Sequence, residues 1–232
     1  MTPTPLSVGM GIKAIVVDID GTLTDRHKVM STRGIEALRQ VQAKGTTVCL
    51  ASGNVLPVAY GVATYVGLEG PVIAENGGIV YHRDQVVELF DRALPDRALA
   101  HLQRYMEVEE LFTGRWRRTE VGLKRSVDVE RVRQLLKDWD VVVECTGFAI
   151  HIMSPGHGKG AGVRKAAELF GIDTAEMAAF GDSDNDVSMF RACGASVAVG
   201  NASPAARAAA GYVSRYDHAE GVIEGLDKLG LL

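Results

Sequence analysis

Along the chain, apolar residues follow two patterns that alternate with each other. Residues 13–19 form a β-branched apolar run, and residues 33–44 carry Ile35, Leu38 and Val41 at helical spacing, so a strand followed by a helix is predicted. The pair recurs as a strand at 46–51 and a helix at 55–66. A short strand at 71–74 then runs into the turn residues Asn76, Gly77 and Gly78. Further on, 160–170 reads as a helix, 177–180 as a strand, 187–192 as a short helix and 196–199 as a strand, while the alanine-rich stretch 202–211 reads as one more helix. Strands alternating with helices predict an α/β fold built on a doubly wound, mostly parallel, Rossmann-like sheet.

Between these two series the pattern changes. Residues 95–110 read as a charged helix, 115–126 as an Arg-rich strand-like stretch, and 128–137 as another helix. Two strands, 141–145 and 148–153, are joined by a turn at Thr146 and Gly147. This α+β segment, residues 82–155, is expected to be a small cap domain inserted into a core formed by residues 10–81 and 156–232.

A chain of 232 residues suits one principal domain with such an insertion. Hydrophobic residues make up 47% and charged residues 23%, values of a globular protein. A formal net charge of -4 gives no global attraction to nucleic acid or to an anionic membrane surface, so an anionic ligand must be held by local groups. Cys49, Cys145 and Cys193 are odd in number, far apart and without CxxC spacing, against both a disulfide framework and a zinc site. No stretch approaches the roughly 20 apolar residues of a membrane span, and residues 1–9 lack the basic and apolar regions of a signal peptide. A cytoplasmic location is therefore expected. Residues 1–9 are rich in Pro, Thr and Ser, which makes Met10 a candidate natural start.

The chemistry gathers where predicted strands end. Asp18 and Asp20 close the first strand in Asp18-Ile19-Asp20-Gly21-Thr22-Leu23-Thr24, and two carboxylates so close repel unless something neutralises them. After the fourth core strand comes Gly181-Asp182-Ser183-Asp184-Asn185-Asp186, whose density of acids suggests a hard cation. An EF-hand loop would need Gly at its sixth position and Glu at its twelfth, where this chain has Val187 and Cys193. Magnesium fits a site assembled from Asp18, the backbone carbonyl of Asp20, and Asp182 or Asp186. Ser52, in Ala51-Ser52-Gly53-Asn54, could offer a hydroxyl and succeeding amides to a phosphate, although a turn serine is the simpler local explanation. Lys159 begins a helix, where the dipole disfavours a cation unless an anion lies nearby. Open parallel sheets bind ligands at the carboxyl ends of their strands, and these features all converge on that edge.

Taken in order, the Asp18 motif, Ser52, Lys159 and the Asp182 motif resemble the four motifs of the haloacid dehalogenase superfamily of phosphatases. The position of the insertion resembles the subgroup with a type-two cap. The small cap, Ala51-Ser52-Gly53-Asn54 and Ala74-Glu75-Asn76-Gly77-Gly78 look most like the archaeal phosphoglycolate phosphatases, with sucrose-phosphate-type phosphatases as relatives. The resemblance implies a magnesium-dependent phosphomonoester hydrolase with Asp18 as nucleophile and Asp20 as general acid and base. It implies that Ser52, Gly53, Lys159 and Asn185 bind the substrate, that Asp18, Asp20, Asp182 and Asp186 hold the metal, and that Asp184 has a solvated or capping role.

The expected substrate is a small anionic phosphomonoester, with 2-phosphoglycolate leading and sugar phosphates as the alternative. A phosphomutase or a phosphorylation-switch protein would also use an acceptor aspartate, although receiver domains are about half this length and lack a cap. No nucleic acid or membrane partner is expected, and a homodimer is left open. Because Lys159 is committed to the core site, the second charge of the substrate is expected to be read by the cap, through Arg115, Arg117, Arg118, Lys124 or Arg125. Strand alternation would put Arg115 and Arg117 on one side and Trp116 and Arg118 on the other.

Overall fold

The computed structural model describes residues 11–232; the candidate start at Met10 lies outside the described residues. In chain order the elements are β1 (Ala14–Asp18), α1 (Thr32–Ala43), β2 (Thr47–Ala51), α2 (Leu56–Val66), β3 (Val72–Ala74), β4 (Ile79–His82), β5 (Gln85–Glu88) and α3 (Ala93–Leu102). They continue with β6 (Val121–Lys124), α4 (Val129–Leu135), β7 (Val142–Cys145), β8 (Ala149–Met153), α5 (Lys159–Phe170), β9 (Met177–Gly181), α6 (Val187–Ala192), β10 (Ala195–Ala198), α7 (Pro204–Ala209), β11 (Tyr212–Val213) and α8 (His218–Lys228).

Eight strands form one sheet in the order β11-β10-β9-β1-β2-β3-β4-β5, in which every pairing is parallel except β3–β4 and β4–β5. The fold is thus α/β with a mostly parallel sheet, and β1 lies at its centre. Its period-two alternation divides the core. Ile15 and Val17 face a layer with Leu38 and Val41 of α1 and Val222 and Leu226 of α8. Ala14 and Val16 face the opposite layer, with Val163 and Ala166 of α5 and Met189 and Phe190 of α6. Burial on both faces explains the continuous apolar run of β1. Helix ends follow local signals: Ser31 caps α1 by accepting from the Gly34 amide, and α2 ends on Gly67 at φ 79°, a left-handed turn that glycine makes without penalty.

Three antiparallel strands, β6-β8-β7, form a second sheet whose core contains Leu99 and Leu102 of α3, Val132 of α4, and Ile150 and Ile152 of β8. The structure departs from the sequence expectations at three places. Residues 85–88, expected within the insertion, join the edge of the large sheet through a β4–β5 hairpin. The stretch 115–126 is a strand only at β6; before it Phe112–Trp116 forms a short 3-10 turn. There, side chains claim the backbone that a strand would have paired: Arg92 donates to the carbonyls of Gly114 (2.8 Å) and Arg117 (3.0 Å), and Glu75 accepts from the amides of Arg118 and Thr119. The helix expected at 95–110 ends at Leu102.

Phe180 is fully buried between the sheet and α8, where a Cβ on Gly225 would lie 2.8 Å from its ring. Phe180→Ala should lower unfolding free energy by about 3–5 kcal/mol in denaturant titration, because the rigid sheet cannot collapse into the cavity.

Candidate active site

β1, β2 and β9 all end at one edge of the large sheet, and α5 starts there. Asp18, the last residue of β1, is buried; its Oδ1 accepts from Lys159 Nζ at 2.5 Å, while its Oδ2 is buried without a hydrogen-bond partner. The same ammonium donates to Asp186 Oδ1 at 2.6 Å. The other Asp186 oxygen accepts from the amides of Asp182 (2.8 Å) and Ser183 (2.9 Å). Asp182 is held more loosely, by the hydroxyl of buried Thr22 at 3.3 Å and the amide of Asn201 at 3.5 Å. Oxygens of Asp18, Asp182 and Asp186 lie within 4.8 Å of one another.

Electrostatics follow from this crowding. Burial, then the charges of Asp186 and Asp182, push the Asp18 carboxyl well above the usual range, and Lys159 only partly opposes them. Burial and Asp186 push Asp182 up to about 7. For Lys159, burial alone would disfavour its charge, but Asp18 and Asp186 outweigh it and hold the ammonium protonated. One lysine thus faces three crowded acids. The hard oxygen donors, their repulsion and the unpartnered Asp18 oxygen all fit a divalent cation.

Gly21 allows the Asp20 loop to pass close by: it sits at φ 88°, and a Cβ there would lie 2.4 Å from Asp182 Oδ2. Its carbonyl accepts from Asn201 (2.9 Å), and His218 Nδ1 lies 2.8 Å from it. Asp20 is partly exposed and opens, with Asp18, Gly53, Asp182 and Asn185, onto a cavity of about 210 Å³. The tip of the β7–β8 hairpin, residues 146–148, forms the opposite wall. Ser52 lies beside this cavity, buried, its Oγ accepting from the Asn54 amide at 3.0 Å as in a turn. Asn185 does not touch Lys159; it accepts from Ser183 and donates to Asn76 Oδ1 at 3.0 Å. Asp184 lies apart from the cluster, accepting from Ser203 at 2.5 Å.

None of the five cap cations lines this cavity. Arg115 stacks on Phe112 and Trp116, Arg118 pairs with Glu88, Lys124 pairs with Glu109, and Arg125 contacts Cys145. Arg117 is buried, ion-paired with Glu120, and donates to the Gly53 carbonyl at 3.1 Å. The strand alternation fails because these residues sit on a 3-10 turn and an extended bend. Arg117 belongs instead to a buried network tying the insertion to the core: Asn76 Nδ2 donates to Glu120 (2.9 Å), and His151 Nδ1 lies 3.1 Å from Glu120. Glu75 completes the join by accepting from the amides of Arg118 and Thr119 and from the Thr119 hydroxyl.

Sequence reasoning missed Thr22, Asn201, Asn76 and the hairpin tip. Asn201 follows β10 on the same carboxyl edge and could have been found by the logic that found Asp182. Asn76 stands in the sequence as a turn residue and as part of the stretch that carries the resemblance, with no site role attached.

Residues 15–113 and 123–226 match the haloacid dehalogenase-like hydrolase family. The chain belongs to that family. It is 41% identical over 223 residues to a protein named phosphoglycolate phosphatase from Archaeoglobus fulgidus, covering 95% of this chain and 98% of the relative. A protein of the same name from Methanothermobacter thermautotrophicus is 39% identical over 215 residues, covering 93% and 97%. A crystal structure of a Thermoplasma acidophilum protein superposes with a TM-score of 0.88 at 32% identity, covering 95% of this chain and 99% of that one. Like other haloacid dehalogenase-like hydrolases, the chain is an enzyme, and among the described residues no helix is long and apolar enough to cross a membrane.

In this hydrolase, burial holds two histidines at the join far below their ordinary 6.5: His151 at about 3, and His157, stacked on Phe90, at about 4. Nitrogen-detected NMR should show both imidazoles neutral from pH 8 down to about pH 5. Below about pH 6.5 the unfolded imidazoles gain protons that the folded ones refuse, so these two sites withdraw stability as pH falls from about 6.5 towards 3–4. Either imidazole titrating near 6.5 in the folded protein would contradict the buried join.

Proposed function

We propose that this enzyme is a magnesium-dependent phosphatase that transfers a phosphoryl group from a small phosphomonoester to Asp18 and then to water, with 2-phosphoglycolate as the substrate. The observation that carries the proposal is the buried Asp18 carboxylate, held through one oxygen by Lys159 and left without a partner at the other. Asp18 attacks phosphorus as the ester P–O bond breaks, and Asp20, on the same cavity wall, gives its proton to the leaving oxygen. Asp20 then takes a proton from water as the water oxygen attacks phosphorus, releasing phosphate and restoring the Asp18 carboxylate. Lys159, Ser52 and the Gly53 loop steady the phosphate, and Asn185 lines its pocket.

Asp18, the backbone carbonyl of Asp20, Asp182 and Asp186 would hold magnesium, Asp186 also fixing Lys159 and the Asp182 loop through its hydrogen bonds. The ion supplies charge neutralisation for the phosphoryl oxygens. The core, with the β4–β5 hairpin at its edge, carries this chemistry, and the segment from the end of β5 to residue 155 forms the inserted cap, whose hairpin tip covers the site. The names of the archaeal relatives support 2-phosphoglycolate rather than a sugar phosphate as the substrate.

Chelation should abolish turnover, and magnesium should restore it better than softer metals. Asp18→Asn should lose at least about a thousandfold in kcat and form no phosphoenzyme, whereas Asp20→Asn should still label from a good leaving group. Multiple-turnover phosphate release from a panel of phosphomonoesters tests the rest. Full activity after chelation, stable labelling without turnover, an isomerised sugar phosphate, or a preference for sugar phosphates would each refute the proposal.

A further inference from the structure

The cavity lacks every cap cation, yet two cations of the core reach it: Arg26 and Lys28. Both stand on a tight loop that the sequence motifs did not single out. Thr24 bridges to Met30 in antiparallel fashion, and Asp25 pins the loop by accepting from the amides of His27 (2.8 Å) and Val29 (3.0 Å). Lys28 sits at its tip with φ 62°, a left-handed conformation in which glycine or asparagine is cheaper. The surrounding bonds of the loop hold it there.

The direction of the side chain is specific. Lys28 Nζ lies 3.5 Å from Asp20 Oδ1 and 4.8 Å from the centre of the Phe148 ring at the hairpin tip. The ammonium therefore spans the mouth of the cavity, from the acid beside the leaving group to the wall supplied by the insertion. Arg26 also lines the cavity, with its Nε donating to His27, but it is Lys28 that bridges Asp20 and the hairpin tip. Lys159 is taken up by Asp18 and Asp186, which leaves Lys28 and Arg26 as the cavity's cations for a second negative charge, and Lys28 is the one placed between Asp20 and the hairpin tip.

We propose that Lys28 is the specificity-determining residue that binds the carboxylate of the substrate, with Phe148 packing against the lysine and closing the pocket over the bound acid. This rests on the reading of the enzyme as a phosphatase of small carboxylated phosphomonoesters, and moves charge recognition from the insertion to the core loop. Lys28 is exposed and its replacement leaves no buried group unpaired, so folding is preserved, which the thermal midpoint checks.

The test compares 2-phosphoglycolate with 2-hydroxyethyl phosphate, which replaces the carboxylate by a neutral carbinol of similar size. In Lys28→Met the ratio of kcat/KM between the two esters should fall about 10- to 100-fold, mainly through KM, the effect of losing one charge-assisted contact. Lys28→Arg should keep most of that ratio, and Arg26→Met should change it little. Equal losses on both esters in Lys28→Met would overturn the assignment by showing that the lysine acts only through Asp20, and so would a fall in the ratio in Arg26→Met alone. A wild-type enzyme that prefers phosphoglycolate together with a Lys28→Met variant that keeps the preference would overturn the Lys28 assignment by itself. A wild-type enzyme indifferent to the carboxylate would overturn the substrate reading and this assignment together.

Discussion

The site depends on one buried ammonium. Lys159 reaches across the chain, 141 residues from Asp18 and 27 from Asp186, and its two short bonds fix the end of β1, the start of α5 and the loop after β9 relative to one another. Burying such a group is costly, and the cost is met only when its partners are as close as these are. Removing the lysine would leave three carboxylates facing one another in a low-dielectric pocket. Keeping it leaves the acids incompletely balanced, and that residual negative field favours a divalent cation and the dianion it accompanies.

A second set of buried polar contacts joins the insertion to this arrangement. Glu75, at a left-handed φ of 49° just after β3, saturates its carboxylate with the backbone of residues 118 and 119. Arg117, a few ångströms further along, grips the carbonyl of Gly53, which lies on the cavity wall. His151 and Asn76 fill the space between, and Asn76 passes the connection on to Asn185. The insertion therefore touches the phosphate-side loop and the acidic loop through the same small network.

Much of this was legible from the chain, and what was not has a physical explanation. Asp18, Asp182, Asp186 and Lys159 could be read because they sit at strand and helix ends, where local pattern and the rule for ligands at the carboxyl edge coincide. The β4–β5 hairpin was hidden because its two-residue turn uses Arg83 and Asp84 at φ 46° and 64°, with no glycine to announce the left-handed turn. The roles of Arg115 to Arg118 were misread because Arg92 and Glu75, distant in sequence, take the backbone groups that a strand would have used. Lys28 was overlooked because its importance comes from Phe148, 120 residues away, and no local spacing encodes that meeting.

The join at Glu75 and Arg117 also sets what it would take to move the insertion. Swinging the whole insertion away as a rigid body would strip Glu75 of all its donors and pull a buried guanidinium off Gly53, exposing a carboxylate and a cation that the join now buries. Lifting the tip of the β7–β8 hairpin breaks far less: the packing of Phe148 on Lys28 and the contact of Thr146 with His151, which is long at 3.4 Å. The two joins thus differ in kind: the base of the insertion is held by buried polar bonds, its tip by one cation resting on one ring.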